Sequence, residues 1–177
     1  HPDYYRSKDI IDHLSDYFAN RVNFRILKGS KFIKANYESD KVKLIEKYNE
    51  LGFRDAYIVK DSFYMKGNFA YIDITIDEGP RYYFRNIDFV GNTKYPTELL
   101  RQILNIEKGD VYNQKRLMEN ISMNQDGNDI SSLYMNDGYL FFYATPTEVM
   151  VENDSIDIEI RIREGQQATY NRITVSG

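Results

Sequence analysis

Two histidines and a scatter of carboxylates are the side chains in this sequence best suited to hold a metal or move a proton. His13 sits beside Asp12 and Asp16 in a helical pattern, with no further ligand in reach, so it reads as a solvated histidine. Asp126-Gly127-Asn128-Asp129 has part of a calcium loop's composition, but it lacks the alternating ligands and the closing Glu and reads as a turn interrupting a helix. Gly91 and Gly109 stand alone, so no glycine-rich loop is present to cradle a phosphate. Ser and His are not arranged in any hydrolase pattern. The absence of cysteine removes disulfides, zinc–thiolate sites and thiol nucleophiles. Asp73, Asp77 and Glu159 alternate with apolar residues on strand-like stretches and read as one solvated face. No catalytic constellation is left, and the chain is read as a non-enzyme with no cofactor and no metal.

The elements that would position these side chains are written twice. At an offset of 86 positions Ile72, Ile74 and Ile76 fall on Ile158, Ile160 and Ile162. At the same offset Glu78-Gly79 falls on Glu164-Gly165, Tyr48 on Tyr134, and Ile87, Phe89 and Gly91 on Ile173, Val175 and Gly177. Residues 44–91 and 130–177 are therefore one segment repeated, and such a repeat governs the reading of the fold. Upstream the offset drifts, which places loop insertions near 123–128 in the second copy and around 21–28 in the first. Loops absorb such length cheaply.

In the second copy YYFRNIDFVGN (82–92) alternates and stops at Gly91-Asn92, as a strand does before a turn. TELLRQILNI (97–106) has helical spacing, with Thr97 as the expected N-cap. Asn113 caps a second helix carrying Leu117, Met118 and Ile121; the stripe resumes at Ile130, Leu133 and Tyr134 and ends on Gly138. A hairpin follows, YLFFYATPTEVMV (139–151) and IDIEIRIRE (156–164), turning at 152–155. The first copy gives helices over 7–18 and 41–52 and a hairpin over 53–78, but no opening strand is read for it. The spare stretch TYNRITVSG (169–177) reads as the opening strand of a third copy. The expected architecture is α+β: tandem modules, each strand-helix-helix-strand-strand, with two helices packed on a three-stranded mixed sheet. Their bounds are 1–80 for a first module lacking its opening strand, 81–166 for a second, and 167–177 for the strand of a third.

Charged residues are 28% of the chain, mixed in sign, with a formal net charge of −4 and no basic run, so nucleic acid is not an expected partner. The element order would also suit an RNA-binding sheet, but that needs exposed aromatics and basic residues on the central strands, which carry Ile, Asp, Thr and Arg instead. No apolar stretch approaches the roughly 20 residues of a membrane-spanning helix. Sixteen Tyr and no Trp favour half-buried strands or binding surfaces.

In this order, IDFVGNTKYPTELLRQIL (87–104), KGDVYN (108–113), SSLYMNDGYLFF (131–142) and IDIEIRIREG (156–165) resemble POTRA (polypeptide-transport-associated) domains, the periplasmic modules of the BamA family of outer-membrane protein assembly factors. The resemblance implies a periplasmic arm on the outer membrane, attached to a membrane β-barrel of the same parent chain. It further implies that the arm receives unfolded outer-membrane proteins and accessory envelope lipoproteins. The MNQDGN insertion and the long first-copy loop depart from the pattern. Two other functions stay in view: the POTRA arm of a secretion transporter with one dedicated substrate, and a Tyr-rich carbohydrate-binding module.

Beside the resemblance stands an anomaly in the first hairpin strand of each copy. Tyr139, Phe141 and Tyr143 alternate with Leu140, Phe142 and Ala144, so both faces are apolar; Ala56 and Ile58 alternate likewise with Tyr57 and Val59. Lys60 and Pro146 fall on equivalent positions, and Lys and Pro are residues that blunt a free sheet edge. Ala56, Tyr57, Ile58 and Val59, with Phe141, Phe142, Tyr143 and Ala144, are thus candidate edge strands for adding a foreign strand. Packing of the second face against a neighbouring module explains the same pattern. Glu78, Gly79 and Pro80, with Glu164 and Gly165, are the candidate inter-module hinge. A strand-swapped self-contact through 169–177 is a further expectation.

Overall fold

The computed structural model describes residues 21–26, 34–67 and 69–169, which fall into two compact units, 1–81 and 82–177. His1, His13, the expected helix over 7–18 and all but Thr169 of the expected strand over 169–177 lie outside the described residues.

In the first unit the described elements are β1 (Arg21–Ile26), α1 (Lys34–Glu50), β2 (Tyr57–Lys66) and β3 (Phe69–Asp77). Helix α1 buries Tyr37, Asp40, Leu44 and Tyr48 at three- and four-residue spacing, the stripe that one helical face demands. They pack with Ile72, Ile74 and Ile76 of β3, each at most 2% exposed, while the intervening Tyr71, Asp73 and Thr75 stay half-exposed. Full burial of an isoleucine is worth about 1.5–3 kcal/mol, so the alternation fixes which face of β3 meets the helix. The sheet order is β1-β3-β2.

This corrects the reading of 21–28 as a loop insertion; residues ahead of the expected first helix over 7–18 lie outside the described residues. The stretch read as a loop insertion, RVNFRI, lies antiparallel along β3 from Arg21↔Thr75 to Ile26↔Ala70. Its Arg-Val-Asn-Phe-Arg-Ile alternation is a period-2 pattern. A swapped tail from another copy would have to displace β1, because this flank of β3 is already paired.

The second unit follows the expected order. Strand β4 (Tyr83–Val90) leads to α2 (Thr97–Leu104), α3 (Gln114–Met118) with a π-helical turn over Glu119–Met123, α4 (Ile130–Asn136), and the hairpin β5 (Tyr143–Glu152) and β6 (Ser155–Arg163). The sheet is mixed, in the order β4-β6-β5, with β4 parallel and β5 antiparallel to β6. Ile156, Ile158, Ile160 and Ile162 of the central strand β6 are buried against Leu100, Leu104, Leu117, Ile121, Ile130 and Tyr134 of the helical layer. Asn113 caps α3 by accepting the Arg116 N–H at 2.9 Å, as its position predicts. Thr97 is not the cap of α2: Pro96 holds that place, and Thr97 is the first helical residue. Its hydroxyl lies 3.2 Å from the Asn92 amide that donates to it.

Both copies end their last helix the same way. The N–H of Phe53 reaches back to the Tyr48 carbonyl and that of Tyr139 to the Tyr134 carbonyl, each at 3.0 Å, across Gly52 (φ 97°) and Gly138 (φ 87°). This six-to-one bond across a left-handed glycine is the Schellman closure. A Cβ at Gly138 would also stand 2.9 Å from the Ala168 carbonyl oxygen, so two constraints hold that glycine.

Candidate functional site

The sheet orders leave β2 and β5 as outer strands, each paired on one flank only, to β3 and β6 respectively. The opposite flank of the second sheet is partly covered. Residues 109–112 bond to Tyr82–Phe84 at the start of β4, including Gly109 N–H to the Phe84 carbonyl at 2.7 Å. The outer backbone of β5 has no such cover among the described residues.

The expected edge residues divide. Tyr57 and Val59 are 54% and 55% exposed on β2, and Ile58 is half-buried. Ala56 precedes β2 and is buried. Tyr143 and Ala144 open β5, but Phe141 and Phe142 precede it and are not strand residues, which corrects the expected strand over 139–151. The reason is the pull of the core. After Gly138 the chain stays in a turn, and Phe142 folds inward to stack on Tyr134 at 4.2 Å between ring centroids. Tyr139 meets the same ring edge-on at 5.8 Å. Phe142 is thus withdrawn from any partner, while Phe141 is left 77% exposed and Leu140 58%.

The two edges are not equally open. In β2 the register slips once, between Ile58 and Lys60, which makes Val59 a bulge residue; from Lys60↔Thr75 to Lys66↔Phe69 the pairing is unbroken. In β5 Pro146 interrupts the first half and a second slip falls between Glu148 and Met150. Proline and bulges are devices that discourage edge-to-edge pairing. The edge free of proline and bulge is therefore 60–66, with Lys60 and Lys66 at its ends; of this stretch the sequence reading singled out Lys60 alone. Its outer face carries Lys60, Ser62, Tyr64 and Lys66, and Tyr64 stacks on its cross-strand neighbour Tyr71 at 5.2 Å. On the opposite face Asp61 is pinned to the helix by Lys41 Nζ at 3.0 Å and the Tyr37 hydroxyl at 2.8 Å. These two donors hold the Asp61 carboxyl below its usual range.

A second group missed in the sequence lies on the far half of β5. Val149, Met150 and Val151 are 53%, 53% and 44% exposed. Arg85 reaches over them from β4, donating to Asp157 at 2.8 Å, to Glu152 and to the Met150 sulfur. The signal available was a lone Arg in the otherwise aromatic opening of β4.

The expected hinge residues are held inside their own units. The Glu164 carboxylate accepts from the Thr93 and Lys94 N–H groups at 2.7 and 2.9 Å, from the Thr93 hydroxyl, and from the Tyr134 hydroxyl at 2.9 Å. Burial alone would raise its pKa, but these donors outweigh burial and hold it below the usual range. In the first unit Tyr48 stands to Glu78 as Tyr134 does to Glu164. Its phenol is pushed up to about 12, by burial and then by the Glu78 carboxylate. Glu78 Oε1, in contrast, is buried with no hydrogen-bond partner among the described residues. Gly79 (φ 65°) donates its N–H to Asp77 at 3.1 Å, and a Cβ at Gly165 (φ 72°) would press on Phe141 at 3.2 Å.

Among the described residues no cluster of three or more His, Cys, Asp or Glu is placed to hold a metal ion, and no helix is long and apolar enough to cross a membrane. Asp126-Gly127-Asn128-Asp129 is a turn, with the Asp126 N–H on Asn124 Oδ1 at 2.8 Å and Asp129 capping α4.

A mixed three-stranded sheet under a helical layer, opened by a parallel strand and closed by a hairpin, defines the class of module. Residues 82–165 match the family model described as POTRA, surface antigen variable number repeat. The chain is 24% identical over 163 residues to the outer membrane protein assembly factor BamA of Neisseria meningitidis serogroup B. The match takes in 89% of the chain and 20% of that protein's length. The fold is shared with a crystal structure of BamA POTRA domains 3–5 from Haemophilus influenzae, at 19% identity and a TM-score of 0.55 over 85% of this chain and 61% of that one. It is shared also with BamA from Haemophilus ducreyi lacking POTRA domains 1–3, at 19% identity and a TM-score of 0.56 over 78% and 24%.

Proposed function

We propose that this chain is a polypeptide-binding part of the periplasmic arm of an outer-membrane protein assembly factor, and that it binds extended clients by strand addition rather than acting as an enzyme. The observation that carries the reading is the edge of β2, where 60–66 runs without proline or bulge on the open flank of its sheet. Strand addition grips any sequence through the backbone and adds preference through alternate side chains. That suits a receptor for many unfolded β-barrel proteins. Lys60 and Lys66 lie four and two residues from Tyr64 on the outer face, so the favoured strand carries an aromatic with an acidic residue four positions to one side and another two positions to the other; such cross-strand pairs each contribute roughly 0.2–1 kcal/mol. Tyr57, Ile58 and Val59 lead into this seat. Tyr143 and Ala144 begin the guarded one, with Phe141 and Leu140 beside it as exposed apolar contacts. The accessory lipoproteins and the membrane barrel belong to the same proposal, resting on the resemblance to assembly factors. Glu78–Pro80 and Glu164–Gly165 are proposed as the junctions that set the spread of the arm.

The test is titration of isotope-labelled chain with an extended peptide that carries Tyr with one Asp four positions to one side and another Asp two positions to the other. Backbone amide shifts should concentrate in 60–66 and less in 143–147. N-methylating alternate residues of the peptide removes the donors along one edge and should weaken binding at least tenfold. Equal binding by the N-methylated peptide, or shifts confined to the helical faces, would refute strand addition.

A further inference from the structure

The second unit holds a groove where its helical layer is interrupted, at a place where the described helix of the first unit is continuous. Helix α1 of the first unit runs unbroken through 34–50. In the second unit the corresponding stretch passes from α3 into a π-helical turn at 119–123, then a loop, and resumes as α4 at Ile130. In a duplicated fold, a feature present in one copy alone is not required for folding. Single π-turns inserted in α-helices recur at functional sites. Here the turn and the loop open a cavity of about 540 Å³ against the end of α2, within the usual ligand-site range of about 300–1,000 Å³.

The walls are set by internal bonds. Asn120 Nδ2 donates to the last carbonyls of α2 at Leu104, 2.8 Å away. The loop folds on Asn124, which accepts the Asp126 N–H on its side chain and the Gly127 N–H on its carbonyl at 3.1 Å. Asp129 is buried, with both carboxylate oxygens taken by Ser132 at 2.8 and 3.0 Å. What remains open to a ligand is uniform in chemistry: the carboxamides of Gln102, Asn105, Asn128 and Asn136, none bonded among the described residues, over Ile103 and Leu133.

We infer that this groove is a second binding site, for a short uncharged polypeptide segment rich in Asn, Gln, Ser and Gly. Each carboxamide offers donors and an acceptor together, the same pair a peptide group presents, so a ligand of alternating N–H and C=O groups satisfies the set. With no basic residue in the lining, an anion finds no counter-charge. With no aromatic ring there either, a pyranose finds nothing to stack on. This site does not depend on the strand-edge reading, since it uses another face of the second unit and another ligand chemistry.

The experiment follows the side-chain NH₂ signals of the labelled chain on adding a blocked Gly/Ser/Asn/Gln peptide, and separately chitotriose. The peptide lacks the β-branched and aromatic residues that favour strand addition, so its effects are separable from those at 60–66. The expected result is shifts of the Gln102, Asn105, Asn128 and Asn136 signals with peptide and none with chitotriose. An Asn128→Ala/Asn136→Ala double variant, altered at two exposed positions, should bind about tenfold more weakly, as loss of two neutral hydrogen bonds implies. Its backbone spectrum reports that the fold is kept, and Gln102→Ala serves as a second probe of the same groove. Equal binding by these variants, shifts confined to strand edges, or a response to chitotriose in place of peptide would each overturn the inference.

Discussion

Glu164 and Glu78 hold the same place in the two copies but meet different surroundings. Glu164 closes the turn after β4 by taking two backbone N–H groups and two hydroxyls, and a hydrogen bond to a charged acceptor is worth about 1.5–3 kcal/mol net. Its folded-state pKa lies below its ordinary value of 4.5, so its stabilisation is present in full above that value and is lost as pH falls through the folded one. Glu164→Gln should therefore lower the stability of the second unit near neutrality by about 1.5–3 kcal/mol. It should also flatten that unit's loss of stability in acid, both read from urea titrations across the acid range. Glu78 meets the Tyr48 phenol but keeps one buried oxygen that no described group satisfies, so it gains less. Glu78→Gln removes a poorly solvated charge and should leave the stability of the first unit unchanged or slightly raised. A loss as large as that of Glu164→Gln would show that Glu78 has donors beyond the Tyr48 phenol.

Among the elements, the edge strands show how much of the arrangement was legible in the order of residues. The alternation of Ile156, Ile158, Ile160 and Ile162 announced a half-buried strand, and Lys60 and Pro146 announced edges; β2 and β5 lie at edges. The start of β5 was not legible, because YLFFYA has strand propensity throughout. What decides its shape is Tyr134, a helical residue 0% exposed, whose ring draws Tyr139 and Phe142 out of the extended path. Strand β1 was missed for a related reason. Its partner is β3, about fifty positions away, and local pattern does not reveal which of several short alternating stretches will win an edge. Pro146 has a consequence of its own. A residue without an N–H halts any ladder passing it, so Pro146→Thr should open the first half of β5 to pairing. The expected outcome is concentration-dependent self-association in sedimentation velocity where the parent chain shows less. Thr145→Val on the same strand, which leaves the proline in place, should not reproduce it.

At the scale of the whole chain, the repeat produces two cores rather than one. Tyr37, Leu44, Tyr48, Ala56 and the three isoleucines of β3 form the described core of the first unit, and a separate cluster from Tyr82 to Ile162 forms that of the second. The second cluster is the larger among the described residues, and it includes both strand isoleucines and a helical layer of leucines, isoleucines and Tyr134. Buried apolar area is the dominant favourable term in folding, so each cluster supports its own unit. Separate cores also make mutational effects separable, since sites with no shared partners add independently. Ile158, 1% exposed at the centre of β6, is the residue on which to test this. Ile158→Ala should cost the second unit about 2–5 kcal/mol through lost contacts and the cavity left behind. Ile74→Ala should act in the same way on the first. Hydrogen exchange resolved by residue should show each substitution speeding exchange in its own unit and leaving the other unit's slow amides unchanged. A substitution that accelerated both sets alike would mean that the two copies fold as one cooperative body, and that the duplication seen in the isoleucine pattern does not divide the chain energetically.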